Sequence, residues 1–259
     1  MPRVKRWTKI ARAITTGHVP ITKQVEWGPF INSFALNNVE GLRLQFSFRT
    51  TDSLSRKLTF RGFGAYGTKD ERFKYSLEAY LTASRQPYIQ LGMRKTRDLD
   101  QVGVSMNQLA NNPLAAQLFG SLTRFGRYER PFIKDEWSFF TMHEIIKGLT
   151  HTLTLNTQYF DPLFRFAYLS KPSLGSDSPL ASQFRMNEIQ YEMRFAKGEM
   201  IVRRNNKRAV RLKKALDWPI FSFRYNGGFA EAEDGTTLPY HRFAASITKS
   251  LRVRRFGQK

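Results

Sequence analysis

The chain has 259 residues, a formal charge of +21, 41% hydrophobic and 14% aromatic residues, and no cysteine. Its length fits one or two domains, and the missing cysteines exclude disulfides, thiolate catalysis and cysteine-ligated metal or iron–sulfur sites. Apolar residues are too dilute for helical membrane spans, each of which needs about 20 nearly unbroken apolar positions, while the charge favours a polyanionic partner without choosing among nucleic acid, anionic lipid and lipopolysaccharide.

Met1 to Pro20 holds no uninterrupted apolar core of the roughly 7–15 residues that a cleavable secretory signal requires. We therefore read residues 1–23 as an approach segment and residues 24–259 as one domain, expected to be truncated at both ends. From there the dominant signal is a period of two, in stretches of about ten residues, the length of a tilted membrane-crossing strand. In Leu42 to Arg49, leucine and phenylalanine occupy one face while Arg43, Gln45, Ser47 and Arg49 occupy the other. The same alternation sets Phe73, Tyr75, Leu77, Ala79 and Leu81 against Lys74, Ser76, Glu78 and Tyr80. It continues with Leu153 and Leu155 against Thr152 and Thr154, with Ile189, Tyr191 and Met193 against Glu188, Gln190 and Glu192, and with Phe221 and Phe223 against Ser222 and Arg224. A last such face holds Phe243, Ala245, Ile247, Leu251 and Val253.

Turn-forming residues separate these stretches, at Thr51-Asp52-Ser53, Thr68 to Glu71, Ser84 to Pro87 and around Asp234-Gly235. Two connections are longer, Asp98 to Pro131 and Lys171 to Gln183, and the first is expected to hold a short helix from Pro113 to Leu122. The pattern predicts an all-β, antiparallel meander of about ten visible strands.

Alternation alone does not say which face is wet, since a soluble sandwich also has one apolar and one polar face per strand. Large charged side chains in mid-strand, Arg43, Arg49, Arg61, Glu78, Glu188, Glu192 and Arg224, suit a water-filled lumen with the apolar residues turned out to lipid. Two roles stay open for those arginines, mutual ion pairing with the glutamates, which carries more weight, and contact with a substrate. Aromatics near strand ends, Trp27, Phe30, Tyr66, Trp137, Tyr159, Tyr168, Trp218 and Tyr240, are candidates for interfacial girdles.

Catalytic motifs fail on context. Gly62 to Gly67 spells G-x-G-x-x-G, but the dinucleotide fingerprint needs a helix after its strand, and here a turn and another strand follow. Ser246 and Lys249 match S-x-x-K, yet positions three apart on a strand face opposite sides. His18, His143, His151 and His241 lack ligand spacing, so neither metal nor cofactor is expected, and no enzymatic activity.

Short phrases in a fixed order carry a family likeness. Glu40 to Leu44, the Gly62, Gly64, Tyr66, Gly67 and Asp70 stretch, and Asn187-Glu188 leading to Arg194 and Glu199 resemble the β-barrel of bacterial surface antigen proteins, which include outer-membrane assembly and secretion translocators. Closer still, the chain resembles outer-membrane proteins with an N-terminal carboxypeptidase-like regulatory domain and a C-terminal domain of unknown function. The resemblance implies a transmembrane barrel of about sixteen strands, of which this chain would supply about ten. It also implies outer-membrane residence and a structural, transport or assembly role in the Gram-negative envelope. The partners it implies are the lipid bilayer, lipopolysaccharide and a polypeptide or envelope cargo, with no nucleic acid. Two departures stand out, the absence of the regulatory domain and of the closing aromatic-ended strand. The competing reading is a soluble, basic, strand-rich nucleic-acid-binding module using aromatic platforms.

Overall fold

The computed structural model describes residues 17–102, 124–165, 168–169, 180–181, 183–199, 201–204, 207–210, 218–232 and 235–249. Its elements are β1 (Val19–Pro20), β2 (Val25–Trp27), a 3-10 turn (Phe30–Asn32), β3 (Phe34–Asn37), β4 (Gly41–Thr50), β5 (Leu58–Gly67), β6 (Phe73–Arg85) and β7 (Tyr88–Gln101). There follow β8 (Pro131–Ile146), β9 (Leu149–Pro162), β10 (Tyr168–Leu169), β11 (Leu180–Ala181), β12 (Phe184–Phe195), β13 (Ile201–Arg204), β14 (Lys207–Val210), β15 (Ile220–Ala232) and β16 (Thr237–Thr248). Among the described residues there is no α-helix; the helix expected at Pro113 to Leu122 and the positions Leu251 and Val253 lie outside them.

A single antiparallel sheet of twelve strands contains everything but two small hairpins, β10–β11 and β13–β14, which branch from its connections. From β4 onward neighbours in sequence are neighbours in space, as the short polar turns dictate, and β9, β12, β15 and β16 continue the meander past the hairpins. The sheet is open: its end strands, β1 and β16, are not paired with each other among the described residues. The segment read as an approach to the domain thus contributes β1 to the sheet.

On the β4 side the sheet begins with a broken strand. β2 pairs with the end of β4 and β3 with its start, and residues 28–33 loop out between them. The ladder survives the break, because the Gly28 amide donates to the Ser47 carbonyl and the Gln45 amide to the Ser33 carbonyl. Pro29, which has no amide hydrogen to offer a ladder, opens the looped segment. Sequence alternation could not show this, since three- and four-residue strands are too short to carry a period.

Burial is inverted relative to a water-soluble domain. The largest fully buried side chains are Arg43, Lys74 and Glu40, while Leu44, Phe46, Phe73, Leu77, Phe139, Ile189 and Phe243 are exposed. The sheet also curls toward its polar face. β5 and β6 lie between β4 and β7, so a flat sheet would hold those two strands about 14 Å apart; yet Arg43 of β4 reaches Asp98 of β7 at 2.7 Å. Tyr240 of β16 reaches over β15 on the same face to donate to Glu188 of β12 at 2.8 Å. The charged face is concave and the oily face convex.

Gly228 makes the second crossing possible, since it stands in register between Glu188 and Tyr240 and presents no side chain. A Cβ there would come within 2.2 Å of the Asn187 carbonyl oxygen, a backbone atom that cannot swing away. Gly228→Ala is expected to destabilise the sheet by about 1–3 kcal/mol through overpacking, read as a lowered urea midpoint in detergent; an unchanged midpoint would show that the strands separate there at no cost.

Candidate functional site

The concave face is built from residues that alternate with the oily ones, and its densest point lies at the end of the sheet where β4 begins and β7 finishes. Arg43 donates to Glu40 at 2.8 Å and to Asp98 at 2.7 Å, and its remaining nitrogens reach the Gln45 side-chain oxygen. Lys74 binds Glu40 at 2.8 Å and Asp70 at 2.6 Å. Asn37 closes the turn before β4: its amide nitrogen donates to Glu40, and its oxygen accepts from the Val39 and Glu40 amides. Every charge in this cluster has an opposite charge in contact, the condition under which buried ions are tolerated.

Arg124 enters the cluster from the β7–β8 connection. It donates to Gln45 at 3.0 Å and Asp98 at 3.1 Å, and it shares the Phe63 ring with Arg43, the two guanidiniums standing 5.5 and 5.6 Å from its centroid. The chain around it runs along the free edge of β3: Gly126 exchanges backbone hydrogen bonds with Leu36 and Asn38, and the Asn38 side chain clasps the Tyr128 backbone at both its amide and its carbonyl. Burial pushes the Tyr128 hydroxyl up to about 12. Residues 124–128 of this connection therefore tie the edge of β3 to Asp98 of β7.

Along the rest of the face, ion pairs bridge neighbouring strands. Arg49 holds Glu26 at 2.7 Å, Arg94 holds Glu136 at 2.6 Å, and Arg224 holds Glu192 at 2.8 Å. Arg61 binds both Glu78 and Tyr80. A run of packed rings, Phe132, Phe160 and Phe184, joins β8, β9 and β12, with centroids 4.6 and 4.7 Å apart.

The lumen candidates from the sequence, Arg43, Arg49, Arg61, Glu78, Glu188, Glu192 and Arg224, all lie on the concave face, each against a partner. The family-like motif residues divide. Gly62, Gly64 and Tyr66 fall on the convex face, where Phe73 packs over Gly64. Gly67 adjoins Asp70, the ligand of Lys74, and Arg194 makes two bonds of 2.7 Å to the buried Glu199 at the opposite end. Lys74, Asp98 and Arg124 were missed by the sequence reading, because alternation along strands does not reveal that Lys74 meets Glu40 and Asp70 of two turns, or that Asp98 meets Arg43 of β4 and Arg124 of a connection. Tyr240, expected in an aromatic girdle, is on the concave face instead, drawn to Glu188 across Gly228. No group of histidine, aspartate and glutamate able to hold a metal occurs among the described residues.

The convex face carries an oily band that slants across the strands. One hydrogen-bonded row runs Phe46, Gly64, Tyr75, Arg97, Asp135, Tyr159, Arg185, Glu231, Thr237. It begins among exposed leucines and phenylalanines of β4 and ends among charges, whereas the exposed apolar residues of β16 are Phe243 and Ile247, further along that strand. The band thus shifts by about one residue per strand, equivalent to a tilt of about 35° at about 3.3 Å per residue and 4.8 Å between strands.

Comparison with known protein families matches residues 15–259 to the C-terminal domain of a family of unknown function, DUF5686. The chain belongs to that family. No curated protein and no solved structure matches the chain significantly. The family match covers the whole open sheet, and it carries no activity with it.

Proposed function

We propose that this DUF5686 C-terminal domain is a transmembrane β-barrel domain of the bacterial outer membrane, related to the surface antigen barrels, with a non-enzymatic structural, transport or assembly role in the envelope. The observation that carries this reading is the slanted oily band on the convex face, backed by a concave face of paired charges. A bilayer crosses tilted strands at constant height, so an apolar belt must step along successive strands, and membrane barrels tilt by about 35–45°. A soluble sheet with one buried face has no reason to place Arg43 and Lys74 inside and Phe46 and Leu77 outside.

Closure, which a bilayer demands of any spanning sheet, would bring further strands against β16. The concave face then lines a lumen whose cations are matched by carboxylates, so it guides or encloses cargo rather than selecting anions by an unbalanced field. The same pairing weighs against the soluble nucleic-acid module, which would need its cations free for phosphates.

Reconstitution tests the reading. The full chain, refolded from urea into phosphatidylcholine vesicles, should float with them in a density gradient, resist extraction by alkaline carbonate and give a β-rich circular dichroism spectrum. A monodisperse, detergent-free monomer that stays at the bottom of the gradient would overturn it, and salt-sensitive binding of single-stranded nucleic acid by that monomer would put the competing module in its place.

A further inference from the structure

The surplus of positive charge is not spread evenly over the fold. The β1–β2, β4–β5, β6–β7 and β8–β9 turns and the long β12–β15 connection all leave the sheet at one end. That end presents Lys23, Arg56, Lys57, Lys147 and Lys197, all exposed, and among the described residues none of them contacts a carboxylate. On the concave face, by contrast, Arg43, Arg49, Arg61, Lys74, Arg94 and Arg224 are each paired. At the opposite end the β5–β6 turn sets Lys69 and Arg72 beside Asp70 and Glu71, and Arg127 and Arg130 of the β7–β8 connection flank Glu129.

Two further observations point to an anionic layer at the basic end. Exposed apolar residues stand beside its cations: Ile21 near Lys23, Leu54 near Arg56, and Ile145 and Ile146 next to Lys147. Lys197 lies 4.7 Å over the ring of the exposed Trp218. Oily groups flanked by cations with long flexible stems suit the boundary between acyl chains and headgroups, where the stem lies in the apolar layer and the charge reaches phosphate.

Resting on the bilayer reading above, we propose that this basic rim sits in the headgroup layer of a leaflet rich in phosphate-bearing anionic lipids and binds their phosphates. The lipid is recognised by charge and by contact of its acyl chains with the adjoining oily residues. A free anion has only the first of these attractions, so the rim's ligand is the lipid.

The test uses the full chain in phosphatidylcholine vesicles carrying a trace of spin-labelled phosphatidylglycerol or, separately, spin-labelled phosphatidylcholine. The fraction of label immobilised at the protein surface should be several-fold enriched for phosphatidylglycerol, and the enrichment should shrink with added salt. The combined variant R56Q/K57Q/K147Q/K197Q should lose the enrichment while immobilising phosphatidylcholine as before, which shows that it remains inserted. A variant of the opposite end, K69Q/R127Q/R130Q, should keep it. Equal immobilisation of both lipids by the unaltered chain overturns the proposal, as does an enrichment that survives the first variant or is lost equally in the second. Inorganic phosphate, compared with chloride at equal ionic strength, should displace no more lipid; selective displacement would show a free-anion site and overturn the lipid assignment. Immobilisation of neither lipid would remove the bilayer reading itself, and the rim proposal with it.

Discussion

Arg43→Met is expected to lower stability by about 3–5 kcal/mol, the cost of stripping one partner from a buried ion network. The side chain is fully enclosed and serves Glu40, Asp98 and Gln45 at once. Methionine fills part of the volume and leaves Lys74 as the remaining cation on Glu40 and Arg124 as the remaining cation on Asp98. Those residual partners place the effect toward the lower end of the range. Arg224→Gln provides the contrast, since Arg224 and Glu192 are each about one-third exposed, at 35% and 30%; water screens that pair, and its loss should cost under about 1 kcal/mol. Urea unfolding of both variants in detergent, followed by tryptophan fluorescence, measures the difference. Equal midpoints for the two would mean that the cluster is no more than a solvated surface lattice.

A second large effect is expected on the other face. Leu77→Arg and Phe139→Arg place a cation mid-band on β6 and β8, where both natural side chains are about half exposed, at 56% and 48%. In water such substitutions cost almost nothing. Facing acyl chains near the mid-plane, each should cost about 2–4 kcal/mol, falling to about 0–1 kcal/mol near the interface. Ile146→Arg, at the end of β8, is the matched control for that depth dependence. Urea titration of vesicle-inserted protein gives the ranking; no penalty at Leu77 and Phe139 would mean that those residues do not meet lipid.

The long strands were legible because their two faces differ so sharply. Leu42 to Arg49 predicted β4 almost to its ends, and Phe73 to Leu81 predicted most of β6. Where charges fall on both faces the pattern fades: Lys95 and Arg97 lie in convex rows with Trp137 and Asp135, so β7 has no clean alternation. The concave cluster was hidden for a different reason. Arg43 and Asp98 are 55 residues apart and touch only because the sheet curls. Alternation assigns a side chain to a face and says nothing about how strongly that face closes on itself. The slant of the oily band was also beyond reach, since it appears only once the register of eight successive strand pairings is known.

The orientation of the two faces is open to direct measurement because the chain contains no cysteine, so any introduced thiol is unique. Spin labels placed singly at Thr152→Cys, Leu153→Cys, Thr154→Cys and Leu155→Cys walk along β9 from face to face. In vesicles, collisions with lipid-soluble oxygen should be high at positions 153 and 155, and collisions with a water-soluble nickel chelate high at 152 and 154. The reverse alternation, or equal access of the chelate to all four, would contradict a sheet that turns its leucines to lipid and its polar side chains to water.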